Sequence, residues 1–536
     1  MRSMVEGHLR KSQPMRPVPL HQPAAGPPPL AGEDGSRSTS RRALGTSRIM
    51  GDNILVIDAG TTSTRAMVFD PHGGLLRVAQ AELTQHYPRP GWVEHDAAEI
   101  WTRTLRCLRE VAGEGAPGIA AIGITNQRET VVAWDRASGE PLARAIVWQD
   151  RRTAETCAAL KDAGHESAVQ AATGLLLDPY FSATKMRWLL DNDGQVRAAH
   201  EGGRLALGTI ESWLTFKLTG GAHITDASNA SRTLLLPLAS AQFDAGLCDL
   251  FGVPRSALPE VVDTHGTLAE ADPRWLGRSI PICGLIGDQQ AATVGQGCLS
   301  PGETKATYGT GAFVLTNAGA GVPRSEHRLL GTVLTQAGGE RRYALEGSVF
   351  VAGSLVKWLR DSLGVISSAA ETEALARSIP DSGGVTIVPA LAGLGAPHWR
   401  PEARGIVTGL SFASGRAQIA RAALEAMAHQ TSDLARAFAA DGAAWRNLRI
   451  DGGMSANDWM AQDLADLLGL PVERPDFVET TALGAALCAA VGAGLYPSLE
   501  LAAETMRGLT RDFAPAMERD VREERLARWR LALAAS

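Results

Sequence analysis

Four hydroxyl side chains and an arginine crowd one short turn, Gly60-Thr61-Thr62-Ser63-Thr64-Arg65, in the stretch IDAGTTSTRAMVFD. A phosphate chain needs many donors at short range. Backbone N–H groups in a tight turn, hydroxyls and a guanidinium supply them, and glycine lets the backbone come close. Thr61, Thr62, Ser63 and Arg65 are therefore candidate phosphate ligands. Asp58, just before the turn, can order a Mg²⁺ ion through water. A second turn of this character is Tyr308-Gly309-Thr310-Gly311, which makes Thr310 a candidate from the other half of the chain. A third is Asp451-Gly452-Gly453. One such hairpin alone is as often an ordinary glycine-containing β-turn; three in series at domain-scale spacing argue for a phosphate clamp. It is not a Walker loop, because no G-x-x-x-x-G-K-[ST] is present.

Two other groups can act on a substrate. In GITNQRET an apolar run ends in Asn126, Gln127, Arg128 and Glu129. A carboxylate beside a guanidinium can accept from and donate to hydroxyls, although the same pair is common as a local surface ion pair. In CGLIGDQQAA, Asp288 and Gln289 follow another apolar run. An acid there can orient an attacking alcohol and take its proton late in a loose phosphoryl transfer. An Asp that merely caps the next helix would read the same way.

These groups need rigid elements behind them. NILVID and RAMVFD read as strands flanking the first turn, with GIAAIGITNQ and TVVAWD as further strands. AEIWTRTLRCLREV carries Ile100, Leu105, Leu108 and Val111 at helical spacing. The second turn is again strand, turn, strand in TKATYGTGAFVLTN, and LRIDGGMSANDWMAQDLADLLG is strand, turn, helix. Strands alternating with helices mean an α/β architecture with mixed sheets. Two similar hairpins, one in each half, predict two similar domains facing a cleft, with a boundary near residue 300 at LSPGET.

Composition narrows the class. The chain has 536 residues, 45% apolar and 21% charged, which suits a globular protein of two or three domains. A net charge of -6 gives no electrostatic case for nucleic acid. Six cysteines with no C-x-x-C pair argue against a disulfide framework or a zinc site and for a reducing cytoplasm. No run of about 20 apolar residues predicts a membrane span. ALGAALCAAVGAGL, residues 482–495, reads instead as a tightly packed helix. Residues 1–49 hold seven prolines and eight Lys/Arg against three Asp/Glu. They read as a disordered tail or, with Met50 just before the first strand, a start assigned too early.

Together, Asp58-Ala59-Gly60-Thr61, YGTG and DGG resemble the actin-like, ribonuclease-H-like ATPases, whose two domains close on ATP. YPRPGWVEHD, ITNQRET, VWQDRR, DPYFSATKMRWLLDN, TDASNASRT, GDQQAA, YGTGAF and GLGAPHW, in that order, resemble the FGGY carbohydrate kinases over essentially the whole chain after the tail. The resemblance implies two ribonuclease-H-like domains with mixed sheets flanked by helices and an active site in the interdomain cleft. Residues 50–300 would bind the polyol and phosphates, and residues 301–536 the nucleotide. TNQRE with DPYFS points to glycerol rather than a pentulose. The implied activity is ATP- and Mg²⁺-dependent phosphorylation of glycerol to sn-glycerol 3-phosphate, the first step of glycerol utilisation. The implied setting is cytoplasmic, and the implied assembly a homo-oligomer, dimer or tetramer.

Carried over by position, Arg128, Glu129, Tyr180, Asp288 and Gln289 would bond the glycerol hydroxyls, with Asp288 as general base. Trp148 and Phe313 would cover the carbon skeleton; for aromatics, plain core packing is the commoner fate. Gly353 and Lys357 would line the nucleotide side, with Gly453 and Asn457 near the adenosine. The chain departs from the family pattern at Ala59 and Lys357, where Gln is usual, and at His398 and Arg400, where Tyr and Asp are usual. RWLGRSIP lacks the usual Gly-Gly-Thr-Arg arrangement, which predicts weak or absent inhibition by fructose 1,6-bisphosphate. Two other readings stand beside this one. A kinase for another polyol or ketose would fail with glycerol. A nucleotide-gated binding protein would leave Asp288 and Gln289 without a purpose.

Overall fold

A computed structural model describes residues 51–400 and 402–536, so the tail assigned to residues 1–49 lies outside the described residues. Two large mixed sheets organise the rest. The first is built from β1 (Asn53–Ala59), β2 (Ser63–Phe69), β3 (Leu75–Glu82), β4 (Ile119–Asn126), β5 (His265–Ala271) and β6 (Ile280–Gly287), in the order β5-β6-β4-β1-β2-β3. The second holds β7 (Glu303–Tyr308), β8 (Ala312–Gly319), β9 (Leu330–Ala337), β10 (Glu340–Val349), β11 (Asn447–Asp451), β12 (Val472–Pro475) and β13 (Thr510–Phe513), in the order β9-β10-β8-β7-β11-β12-β13.

The two sheets follow one plan. In each, the first strand pairs antiparallel with the second (β1 with β2, β7 with β8) and parallel with a later strand (β4 and β11). Each turn rich in glycine and hydroxyls joins the first strand to the second, so the echo in the sequence is a duplicated architecture. β4 is buried along its whole length. That is why it reads as a continuous apolar run rather than an alternating one. TVVAWD contributes Val132–Asp135, which pairs with Leu205–Gly208 in a small separate sheet and not with β4.

Helix α1 (Ala97–Ala112) is capped by Asp96, whose side chain accepts from the backbone of Ala98 and Glu99. Its buried face is Ile100, Trp101, Thr104, Cys107, Leu108 and Val111. Leu105 lies half-buried at the edge of the same core.

The stretch at 482–495 is helical to Gly492, in α3 (Thr480–Gly492), which crosses α2 (Asp288–Gly295) and packs on the first sheet. Glycines make the crossing possible. A Cβ on Gly484 would lie 1.8 Å from the Ala291 carbonyl oxygen, and one on Gly295 2.0 Å from that of Thr480. Ile54, Val56 and Met67 of the first sheet, α3, and Leu315, Leu334 and Ala344 of the second share one core. The two halves are therefore joined by packing as well as by chain. Gly484→Ala is expected to destabilise the fold by about 1–3 kcal/mol through overpacking, read as a lowered thermal midpoint. An unchanged midpoint would show that the two helices have slack. No helix among the described residues is long and apolar enough to cross a membrane. All six cysteines are buried and unpaired.

Candidate active site

Between the sheets lies a cavity of about 70 Å³ lined by Thr61, Arg128, Glu129, Trp148, Tyr180, Asp288, Gln289 and Phe313. All seven substrate candidates read from the sequence meet there, with one residue of the first hydroxyl turn. Arg128 and Glu129 stand just past the end of β4, and Asp288 and Gln289 begin α2. Tyr180 precedes the helix Ser182–Asn192, and Phe313 lies on β8 of the second sheet. A roomier surface groove of about 460 Å³, around Arg187 and Cys248, carries none of these groups. The aromatic walls are mutually packed, with the Trp148 ring 5.6 Å from Tyr180 and 6.4 Å from Phe313, both edge-on. Trp148 Nε1 donates to Thr61 Oγ1 at 2.9 Å, which ties the wall to the turn.

Behind the walls is a buried ionic network. Arg128 Nη1 donates to Glu346 Oε2 at 2.7 Å and Nη2 to the Tyr180 hydroxyl at 3.3 Å. Its Nε has no hydrogen-bond partner and lies 3.2 Å from Asp288 Oδ1. A Cβ on Gly287 would sit 2.8 Å from Arg128 Cδ, so glycine there makes room for the arginine. Glu129 adopts a φ of +61°, a costly backbone for a non-glycine residue and one that collects at functional sites. Burial pushes the Asp288 carboxyl up to about 6, with Arg128 and Lys305 opposing and Glu129 adding to the rise. Its Oδ1 also accepts from the backbone N–H of Gln289 at 2.7 Å.

Three charged residues of this network escape a reading of the sequence. Glu346 on β10 is held down to about 2, because Arg128 and Arg232 outweigh the cost of its burial. Arg232 lies within TDASNASRT, and Lys305 on β7 donates to Gln289 Oε1 at 2.6 Å. Burial lowers the Lys305 ammonium, opposed by Asp451 and Asp288. The available signal was a lone charge inside an otherwise apolar strand, as in YALEGSVF.

The phosphate and nucleotide candidates lie around the two turns. Thr62 is exposed and Ser63 buried, and Arg65 is paired with Glu479 at 2.5 Å. Thr310 is exposed, and its carbonyl accepts from the backbone of Ala352 and Ser354. A Cβ on Gly353 would meet the Gly309 carbonyl oxygen at 2.6 Å, and one on Gly452 that of Tyr308 at 2.5 Å. YGTG, DGG and the start of the helix Gly353–Asp361 thus touch backbone to backbone, with Gly453 exposed beside them. Lys357 projects from that helix, exposed. Asn457 caps the next helix, accepting from Met460 N at 2.9 Å, and donates to Thr372 of the helix Glu371–Arg377 at 3.3 Å. His398 meets Asp433 at 3.0 Å, and Arg400 bonds the chain terminus at Ser536, so both departures serve the C-terminal packing.

Asp58 is paired along its backbone with Arg65 and Thr125 in the first sheet, and its carboxylate makes no hydrogen bond among the described residues. Burial, Asp288 and Glu479 raise it to about 7, against the pull of Arg65. No cluster of three or more His, Cys, Asp or Glu that could hold a metal exists among the described residues. The donor set fits a hard cation held mainly by phosphates and water, not a protein cage.

A two-domain α/β cleft with hydroxyl turns and a small polar pocket is the frame of a sugar or polyol kinase. Sequence profiles of the FGGY family of carbohydrate kinases match residues 53–295 for its N-terminal domain and 304–493 for its C-terminal domain, and the chain belongs to this family. It is 55% identical to a glycerol kinase of Rhodospirillum centenum over 90% of this chain and 97% of that one. It is 54% identical to a glycerol kinase of Alcanivorax borkumensis over 90% and 97%. The crystal structure of Plasmodium falciparum glycerol kinase with ADP superposes with a TM-score of 0.86 at 35% identity, covering 90% and 98% of the two chains. A xylulose kinase from Rhodospirillum rubrum gives 0.78 at 25%, over 90% and 98%.

Proposed function

We infer that this protein transfers the γ-phosphoryl group of ATP to a terminal hydroxyl of glycerol, giving sn-glycerol 3-phosphate and ADP. The observation that carries the reading is the pocket itself. Arg128, Glu129, Tyr180, Asp288 and Gln289 surround a small space closed by Trp148 and Phe313, in a chain 55% identical to a glycerol kinase. Glycerol is short and hydroxylated on every carbon. A site that gives each hydroxyl a buried partner rejects analogues that leave one partner unpaired.

In this mechanism Arg128 and Glu129 hold the hydroxyls remote from the chemistry. Asp288 orients the attacking hydroxyl and accepts its proton as the bond to phosphorus forms. Thr61, Thr62, Ser63 and Arg65 hold phosphates from residues 50–300 and Thr310 holds them from residues 301–536, where Gly353 and Lys357 line the nucleotide side and Gly453 lies near the adenosine. Arg65 must then exchange Glu479 for phosphate. Bound with ATP, Mg²⁺ would neutralise charge on the phosphates, and Asp58 would order its water. Asn457 already has a capping task, so its nucleotide role is the weakest in the set. Six unpaired buried cysteines support the cytoplasmic setting.

The test is ADP release with Mg·ATP and a panel of glycerol, dihydroxyacetone, xylulose and ribulose. Glycerol is expected to exceed either pentulose in kcat/KM by about 10²-fold or more. Turnover confined to a ketose would refute the substrate while leaving the fold and clamp intact.

A further inference from the structure

The substrate side of the pocket is held from the other half of the chain. Glu346 belongs to the second sheet, yet both oxygens of its carboxylate serve arginines of the first half. Oε2 accepts from Arg128 Nη1 at 2.7 Å, and Oε1 accepts from Arg232 Nη2 at 2.9 Å. Arg232 Nε then donates to Glu129 Oε1 at 2.6 Å. All four side chains are no more than 1% exposed. Neither Glu346 nor Arg232 lines the cavity, whereas Arg128 and Glu129 do.

Two buried guanidiniums side by side repel each other, and desolvation makes each costly alone. Glu346 is the carboxylate that hydrogen-bonds both. It also fixes which face Arg128 turns to the pocket. With Nη1 on Glu346 and Nη2 on Tyr180, Nε is left toward Asp288 and the cavity, buried and without a hydrogen-bond partner. Released from Glu346, Arg128 could rotate into a two-point pair with Asp288, withdrawing both groups from a ligand. Arg232, released likewise, would no longer fix Glu129.

We propose that Glu346 is a positioning residue for polyol recognition: from the second half of the chain it locks Arg128 directly, and Glu129 through Arg232, in the orientation that meets the substrate hydroxyls. The proposal rests on the glycerol reading of the pocket. It separates Glu346 from a residue that only stabilises the fold, because its loss alters one substrate's KM and not the other's.

The experiment measures KM for glycerol, KM for ATP, kcat and thermal midpoint for the full chain and for Glu346→Gln, Glu346→Asp and Arg232→Lys. Folded Glu346→Gln is expected to raise the glycerol KM about tenfold to a hundredfold, the worth of a charge-assisted hydrogen bond. The ATP KM should stay within about twofold, since no nucleotide-side contact is touched. Glu346→Asp, which keeps the charge, should recover part of the loss. Unchanged glycerol KM in a folded variant, or equal increases for both substrates, overturns the proposal. If Glu346→Gln does not fold, Glu346→Asp and Arg232→Lys decide it by the same criterion. A wild-type protein inactive on glycerol but active on a ketose would instead sink the substrate reading.

Discussion

Asp288→Asn is expected to lower kcat for glycerol by about 10²–10⁴-fold, the usual worth of a positioned general base. Asn keeps the shape and one acceptor but cannot take the proton. Asp288 is suited to the role by two opposed influences. Burial and Glu129 raise its carboxyl, Arg128 and Lys305 lower it, and it settles at about 6. It is thus ionised at neutral pH, yet basic enough to accept a proton late in the transfer. The sign of the pH dependence follows: the protonated acid is inert, so kcat/KM falls as pH drops below about 6. Asp58, raised to about 7, is the rival source of such a limb. Asp288→Asn should abolish the acid limb in the residual rate, and Asp58→Asn should leave it. Nucleotide affinity, measured by ADP titration, should survive Asp288→Asn. A variant that keeps most of its turnover, with the limb in place, overturns the assignment.

The turn that would hold phosphate was legible because it stands between two largely apolar and largely buried runs, β1 and β2. The duplicated plan was legible from the second glycine- and threonine-rich turn and the strands on either side of it, β7 and β8. The pocket's lining was legible through motifs, since Arg128, Glu129, Asp288 and Gln289 stand where apolar strands end. What holds that lining was not. Glu346 and Lys305 sit inside strands, where a charge ordinarily marks a solvent-facing position. Only the approach of the two sheets turns these charges inward against Arg128, Arg232 and Gln289. Asn457 shows the converse: the family resemblance implies a place near the adenosine, but the structure spends its side-chain carbonyl on a helix start. TVVAWD had strand periodicity, which says nothing of the sheet a strand joins.

Arg128→Ala is expected to cost both function and fold. It removes the pocket's guanidinium, so glycerol turnover should fall far more than ATP affinity. It also leaves Glu346, Glu129 and Asp288 together with Arg232 and Lys305 as the remaining cations. Removing one partner of a buried ion network typically destabilises by about 3–5 kcal/mol, because an uncompensated charge stays behind. Arg128→Lys should recover little, since one ammonium cannot reach both Glu346 and Tyr180 in the fork that Arg128 uses. The pH dependence separates this cause from simple loss of packing. In the wild type Glu346 is drawn from its ordinary 4.5 to about 2, so its pairing stabilises the fold above about 4.5 and is lost as pH falls toward 2. Arg128→Ala forfeits that contribution at neutral pH. Its deficit relative to wild type, read from urea midpoints, should shrink as pH is lowered toward about 3. A deficit of constant size across that range would mean that Arg128 stabilises through its aliphatic stem against Gly287, and that the charges around it balance without it.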